Sequence, residues 1–97
     1  MYRQGDVLIV PVSEVNGKQS NPKQIVLAHG EATGHAHTIT DETTLLFNGP
    51  NGEVYIDATE HTEVRHQEHD TIPIPPGTYR VIRQREYTPE RTRNVAD

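Results

Sequence analysis

Six histidines occur in this 97-residue chain, and five of them fall in two short windows. In the first, His35 and His37 are separated by one residue. On a strand, positions i and i+2 point to the same face, so these two imidazoles can converge on one ion. Gly34 just before them lets the backbone bend or approach closely. The second window is His66-Gln67-Glu68-His69, preceded by His61. A spacing of three places His66 and His69 on opposite faces of a regular strand, so they converge only where residues 67–69 turn or twist helically. At least one of them is expected to join His35 and His37. His29 and His61, taken singly, read as solvent-exposed or hydrogen-bonded histidines.

Neutral imidazole suits zinc, nickel, copper and ferrous iron. The chain has no cysteine, so thiolate ligands are excluded and any metal must be held by imidazole and carboxylate. A divalent transition metal is therefore expected, with zinc first. Three histidines and an open position would be a catalytic arrangement, whereas four would close the shell and be structural. Glu42, Glu68 and Asp70 lie close enough in sequence to act as a ligand, as a hydrogen-bond partner that orients a ligand, or as a general base. Glu42 and Glu68 are the candidate catalytic carboxylates. With zinc the chemistry would be hydrolysis, hydration or the reverse elimination, using a metal-activated water on a small electrophile.

The elements that must position these residues read as short strands. Asp6 to Val12 is a β-branched run, with Pro11 placing its end at a sheet edge. Residues 13–24 are polar and rich in Asn, Gly and Ser, and read as a mobile loop. Strands are expected to start at Ile25 and to cover His35 to Ile39 and Thr43 to Phe47. Asn48-Gly49-Pro50-Asn51-Gly52 is the strongest turn signal. Glu53 to Ala58 then alternates, with Val54, Ile56 and Ala58 facing one way. A polar stretch runs from Thr59 to Asp70. An edge segment from Ile72 ends in the Pro76-Gly77 turn, and Thr78 to Arg85 is the longest strand. Thr88-Pro89-Glu90 carries helix-start chemistry, which predicts a short helix over Pro89 to Val95. About seven strands at this spacing predict one all-β domain over residues 1–97, a small barrel or sandwich with a short C-terminal helix.

Apolar residues make up 32% of the chain, which is lean for a domain of this size. A metal or a homo-oligomeric interface would supplement so modest a core. The net charge of −5 argues against nucleic-acid binding by the surface as a whole. Five of the nine basic residues, Arg80, Arg83, Arg85, Arg91 and Arg93, lie near the end. Interleaved with Glu86 and Glu90, they read as a solvated face with local ion pairs, and one of them could orient a small anionic substrate. The opening residues are unlike a signal peptide and no apolar run reaches the ~20 residues of a membrane span, so the cytoplasm is expected.

The stretch from Gly30 to Gly49 resembles the first cupin motif, with His35, His37, Glu42 and Gly49 at matching spacings and the leading glycine interval short by one. The resemblance implies a double-stranded β-barrel in which His35, His37 and Glu42 ligate a metal. Pro75-Pro76-Gly77 matches the turn of the second cupin motif, but Arg80 stands where its ligand histidine would be. The fourth ligand would then come from His66 or His69. The whole chain is similar to a group of short bacterial and phage proteins with a like opening (Tyr2 to Leu8), the Gly34-His35-Ala36-His37 element and a like ending. That likeness attaches no activity. The competing class is a structural or oligomeric interaction module, of the kind found in phage, whose histidines sit at an interface or on the surface. A nucleic-acid-binding barrel is the third.

Overall fold

A computed structural model describes residues 1–29 and 34–84. The fold is all-β, with ten strands: β1 (Tyr2–Gln4), β2 (Val7–Pro11), β3 (Lys18–Ser20), β4 (Ile25–His29), β5 (Ala36–Ile39), β6 (Leu45–Asn48), β7 (Val54–Ala58), β8 (Thr62–Val64), β9 (Ile72–Ile74) and β10 (Gly77–Arg83). The C-terminal helix expected over Pro89 to Val95 lies outside the described residues. No helix among them is long and apolar enough to cross a membrane.

Six strands form an antiparallel sheet in the order β1-β2-β10-β7-β6-β3. The barrel expectation is corrected here. The sheet is open, with β1 and β3 as its two ends, and β4-β5 and β8-β9 stand apart as hairpins. The two end strands have only three residues each, and neither pairs with the other.

Period-2 alternation builds the core. Val7 and Ile9 of β2, Ile56 and Ala58 of β7, and Tyr79 and Val81 of β10 pack in one cluster with Ile25, Leu27, Ile39, Val64 and Ile74 of the hairpins. The hairpins thus bury their apolar face against the sheet, with Val54 half-buried at the margin. Two local expectations are also corrected. The polar loop at 13–24 contains β3, where Lys18, Gln19 and Ser20 pair with Asn48, Phe47 and Leu46. The polar stretch from Thr59 to Asp70 contains β8, whose Thr62 and Val64 are buried while Glu63 faces out. Both strands are too short to show a periodicity, and pairing partners distant in sequence fix them.

The turn after β5 is organised by Asp41. Its carboxylate accepts hydrogen bonds from the Thr43 backbone N–H (2.8 Å) and hydroxyl (2.7 Å) and from the Thr44 hydroxyl (2.7 Å). Burial works to raise its pKa, and these hydrogen bonds outweigh it and hold the carboxyl at about 2. With the folded value below the unfolded 3.8, the turn's contribution to stability is present above pH 3.8 and is lost as the pH falls from there through about 2. Thr44→Val, which deletes one donor, should raise the Asp41 pKa toward 3.8, as read by NMR titration of the carboxyl carbon. An unchanged value would show that the Thr44 hydroxyl contributes nothing.

Candidate functional site

On β5, Ile39 and His37 share the inward face, and both are buried. A buried imidazole needs partners, and Gln4 of β1 provides one. The Gln4 amide nitrogen donates to the carbonyls of Val64 (2.9 Å) and Asp70 (2.8 Å), which leaves its Oε1 to face His37 Nδ1 at 2.8 Å. Because Oε1 can only accept, Nδ1 carries the proton and the Nε2 lone pair points away from Gln4. Burial, reinforced by the nearby His66, pushes the His37 pKa down to about 4. His37 is therefore a neutral imidazole at pH 7 with its tautomer fixed. That is the state of a metal-ligating histidine, whose second nitrogen usually donates to an oriented acceptor.

The second histidine window is brought to the first by a single antiparallel bridge. Thr38 and Arg65 exchange backbone hydrogen bonds of 2.9 Å in both directions. In that register His66 falls opposite His37, and their rings lie 4.4 Å apart. The backbone then bends through residues 67–69, and the Glu68 N–H donates to His66 Nδ1 at 3.0 Å. The bend returns His69 to the same side, with ring centroids 4.6 Å from His66 and 6.0 Å from His37. Gln67 Oε1 ties the two windows again by accepting from the Ala36 N–H (3.0 Å). Gln4 bonds the carbonyls of Val64 and Asp70, just outside the segment carrying His66 and His69.

The turn Gly5-Asp6 between β1 and β2 borders the cluster. Gly5 has φ +60°, and a Cβ there would lie 2.7 Å from His69 Nε2. Asp6 Oδ2 accepts from Arg83 Nη2 (3.2 Å) while its Oδ1 faces His37 Nε2 at 3.7 Å. Partial burial works to raise the Asp6 carboxyl, and the hydrogen bond and charge of Arg83 hold it below its usual value. The Asp6 carbonyl also accepts from the Gln84 N–H at 2.6 Å, fixing the turn to the end of β10.

His37, His66 and His69 thus form a triangle. His35, half-buried, joins edge-on against His66 with a centroid distance of 5.6 Å, and its Nδ1 lies 3.6 Å from Glu68 Oε2. Burial, with His69 and His35 close by, lowers the His66 pKa. Glu68 and Asp70 are exposed beside this group. Glu42 is not brought to it: it is exposed and lines a hollow with Asp41, Thr44 and Leu45. Arg80, at the second-motif position of the cupin pattern, is exposed on β10. His29 is exposed at the end of β4, and His61 is exposed beside Asp41 and Arg65.

With the side chains as they stand, no group of three or more histidine, aspartate or glutamate residues among the described residues is arranged to hold a metal ion. Separation is not the obstacle. Metal–nitrogen bonds of ~2.0–2.1 Å place the centroids of two imidazoles on one tetrahedral ion roughly 5 Å apart, and the rings here are 4.4 to 6.0 Å apart. Orientation is the obstacle for His66, because accepting the Glu68 N–H at Nδ1 leaves the neutral ring's proton on Nε2. His66 is half-buried and His69 exposed, so both rings have room to turn.

Sequence reasoning missed Gln4, Gly5 and Asp6. Their spacing carried no ligand signal, and they reach the histidines only through the β1-β2 turn. The class defined by this fold and site is an all-β protein with a half-exposed histidine cluster between a sheet-edge turn and two hairpins. The chain belongs to the family described as a domain of unknown function, DUF8820, whose model matches residues 3–84 and so includes the whole cluster. Comparison with curated proteins and with solved structures finds no match.

Proposed function

We propose that the protein binds a divalent transition-metal ion, zinc first, with His37 as the fixed ligand and His66, His69 and His35 as the imidazoles that turn to close on it. The observation that carries this reading is the Gln4–His37 hydrogen bond, which leaves a neutral, buried imidazole with its Nε2 lone pair beside two further rings. A mobile surface histidine needs no such anchoring, and burying a polar ring for packing alone is unfavourable. Nickel, iron and copper fit the same donors. If three imidazoles bind, the exposed side admits a metal-bound water with its pKa lowered toward ~7. Hydrolysis or hydration of a small electrophile would follow, with Glu68 as the neighbouring carboxylate. Four would make the site structural.

Elemental analysis of protein purified without an affinity tag tests the reading. Stoichiometric metal is expected, and its removal by chelator should lower the melting temperature. At a thousandfold excess of free metal over Kd, the ion adds about 4 kcal/mol, on the order of 20 °C in a domain this size. Substoichiometric metal that chelator removes without altering melting would overturn it.

A further inference from the structure

Three consecutive residues, Gln4 at the end of β1 and Gly5 and Asp6 of the β1-β2 turn, each meet the histidine cluster. Gln4 holds His37 Nδ1 at 2.8 Å. Gly5 leaves the space into which His69 Nε2 reaches. Asp6 presents Oδ1 to His37 Nε2 at 3.7 Å while Arg83 holds Oδ2 at 3.2 Å. The Asp6 contact is unusual in its chemistry. The Gln4 bond puts the His37 proton on Nδ1, so Nε2 and the Asp6 carboxylate are two electron-pair donors facing one another. The 3.7 Å separation is too long for a hydrogen bond. Two such groups repel one another, and a cation bound by both would relieve the repulsion. Arg83 engages the opposite oxygen, so it turns Oδ1 toward His37 and offsets only part of the carboxylate charge there.

We propose that Asp6 is a ligand of the metal, so that the site is a mixed histidine–carboxylate centre completed by the Gln4-Gly5-Asp6 segment. This rests on the metal-binding reading above. A carboxylate among imidazoles makes a harder donor set that favours zinc, ferrous iron, nickel or manganese over cuprous copper. Arg83 is a positioning residue that orients the carboxylate.

Titration of the metal-free full chain with cobalt(II), followed by visible absorption and by chelator competition, tests this. Asp6→Asn keeps size and turn chemistry but removes the anionic donor. It should weaken cobalt binding by more than about 100-fold, beyond the 10–100-fold typical of outer-shell partners, and should change the ligand-field spectrum. Arg83→Gln leaves the carboxylate in place and should weaken binding by about 10–100-fold, with the spectrum retained. If Asp6→Asn binds with the wild-type spectrum and affinity, Asp6 is not a ligand and the histidine site stands without it. If both variants weaken binding equally with the wild-type spectrum, the Asp6–Arg83 pair is structural only. If the wild-type chain binds neither cobalt nor zinc, the metal reading itself falls and this inference with it.

Discussion

Replacing His37 by alanine is expected to abolish metal-dependent stabilisation of this protein. His37 is the one histidine of the cluster that is buried, and its tautomer is fixed by Gln4. The other three imidazoles are exposed or half-buried and would have to be ordered by the ion. His37→Ala should therefore lose the melting-temperature rise that added zinc gives the wild-type chain, on the order of 20 °C at saturating metal. The metal-free variant should also be less stable, because Gln4 Oε1 is left buried without a donor, at about 1–3 kcal/mol. Loss of the crowding between His37 and the Asp6 carboxylate offsets part of that. His35→Ala is the comparison. His35 stands at the rim against His66, and its removal should weaken zinc binding less than that of His37, because His66 and His69 remain to close on the ion with His37. Equal losses in the two variants, read by calorimetric titration, would show that the site is not built around His37.

Gln4→Leu is the second substitution with a large expected effect. Leucine fills similar space but provides no hydrogen bonds. Gln4 is 2% exposed, and its amide serves three segments: β5 through His37, the end of β8 through Val64, and the connection just before β9 through Asp70. Two carbonyls and one ring N–H would lose their partner together. Even with partial relaxation this should cost about 3 kcal/mol, roughly 12–24 °C in melting temperature for a domain of this size. Zinc affinity should fall as well, by 10–100-fold, as for loss of a partner that orients a ligand. Thermal unfolding of the metal-free chain separates the two effects. A Gln4→Leu protein that melts as wild type does would mean that the amide holds nothing together.

Much of the fold was legible because its signals are local. The alternation of Val54, Ile56 and Ala58, the turn at residues 48–52 and the β-branched run from Val7 each depend on neighbours within a few residues. The strands β3 and β8 were not legible. Three-residue strands of polar composition form only because a partner strand accepts their backbone groups, and that partner lies 28 or so residues away for Ser20 and Asn48. Barrel closure was likewise not decided by strand count. It depends on whether the two ends of the sheet pair, and β1 and β3 do not.

The histidines divide in the same way. That alternate residues of a strand share a face follows from the period of two, but in the folded chain it is His37 and Ile39 that share one, because β5 begins at Ala36 and leaves His35 just before it. The sequence also carries the condition that His66 and His69 converge only on a bent backbone. Tertiary structure decided the rest. The Thr38–Arg65 bridge sets His66 against His37, and the bend at 67–69 brings in His69. Glu42, at a cupin-like spacing, is carried away from the group by the Asp41 turn. Gln4, Gly5 and Asp6, more than 30 residues before His37, close over the site. Spacing along a strand is fixed by covalent geometry and is therefore written in the sequence. Which distant turn meets that strand depends on how all the apolar faces are buried at once, and only the folded chain settles it.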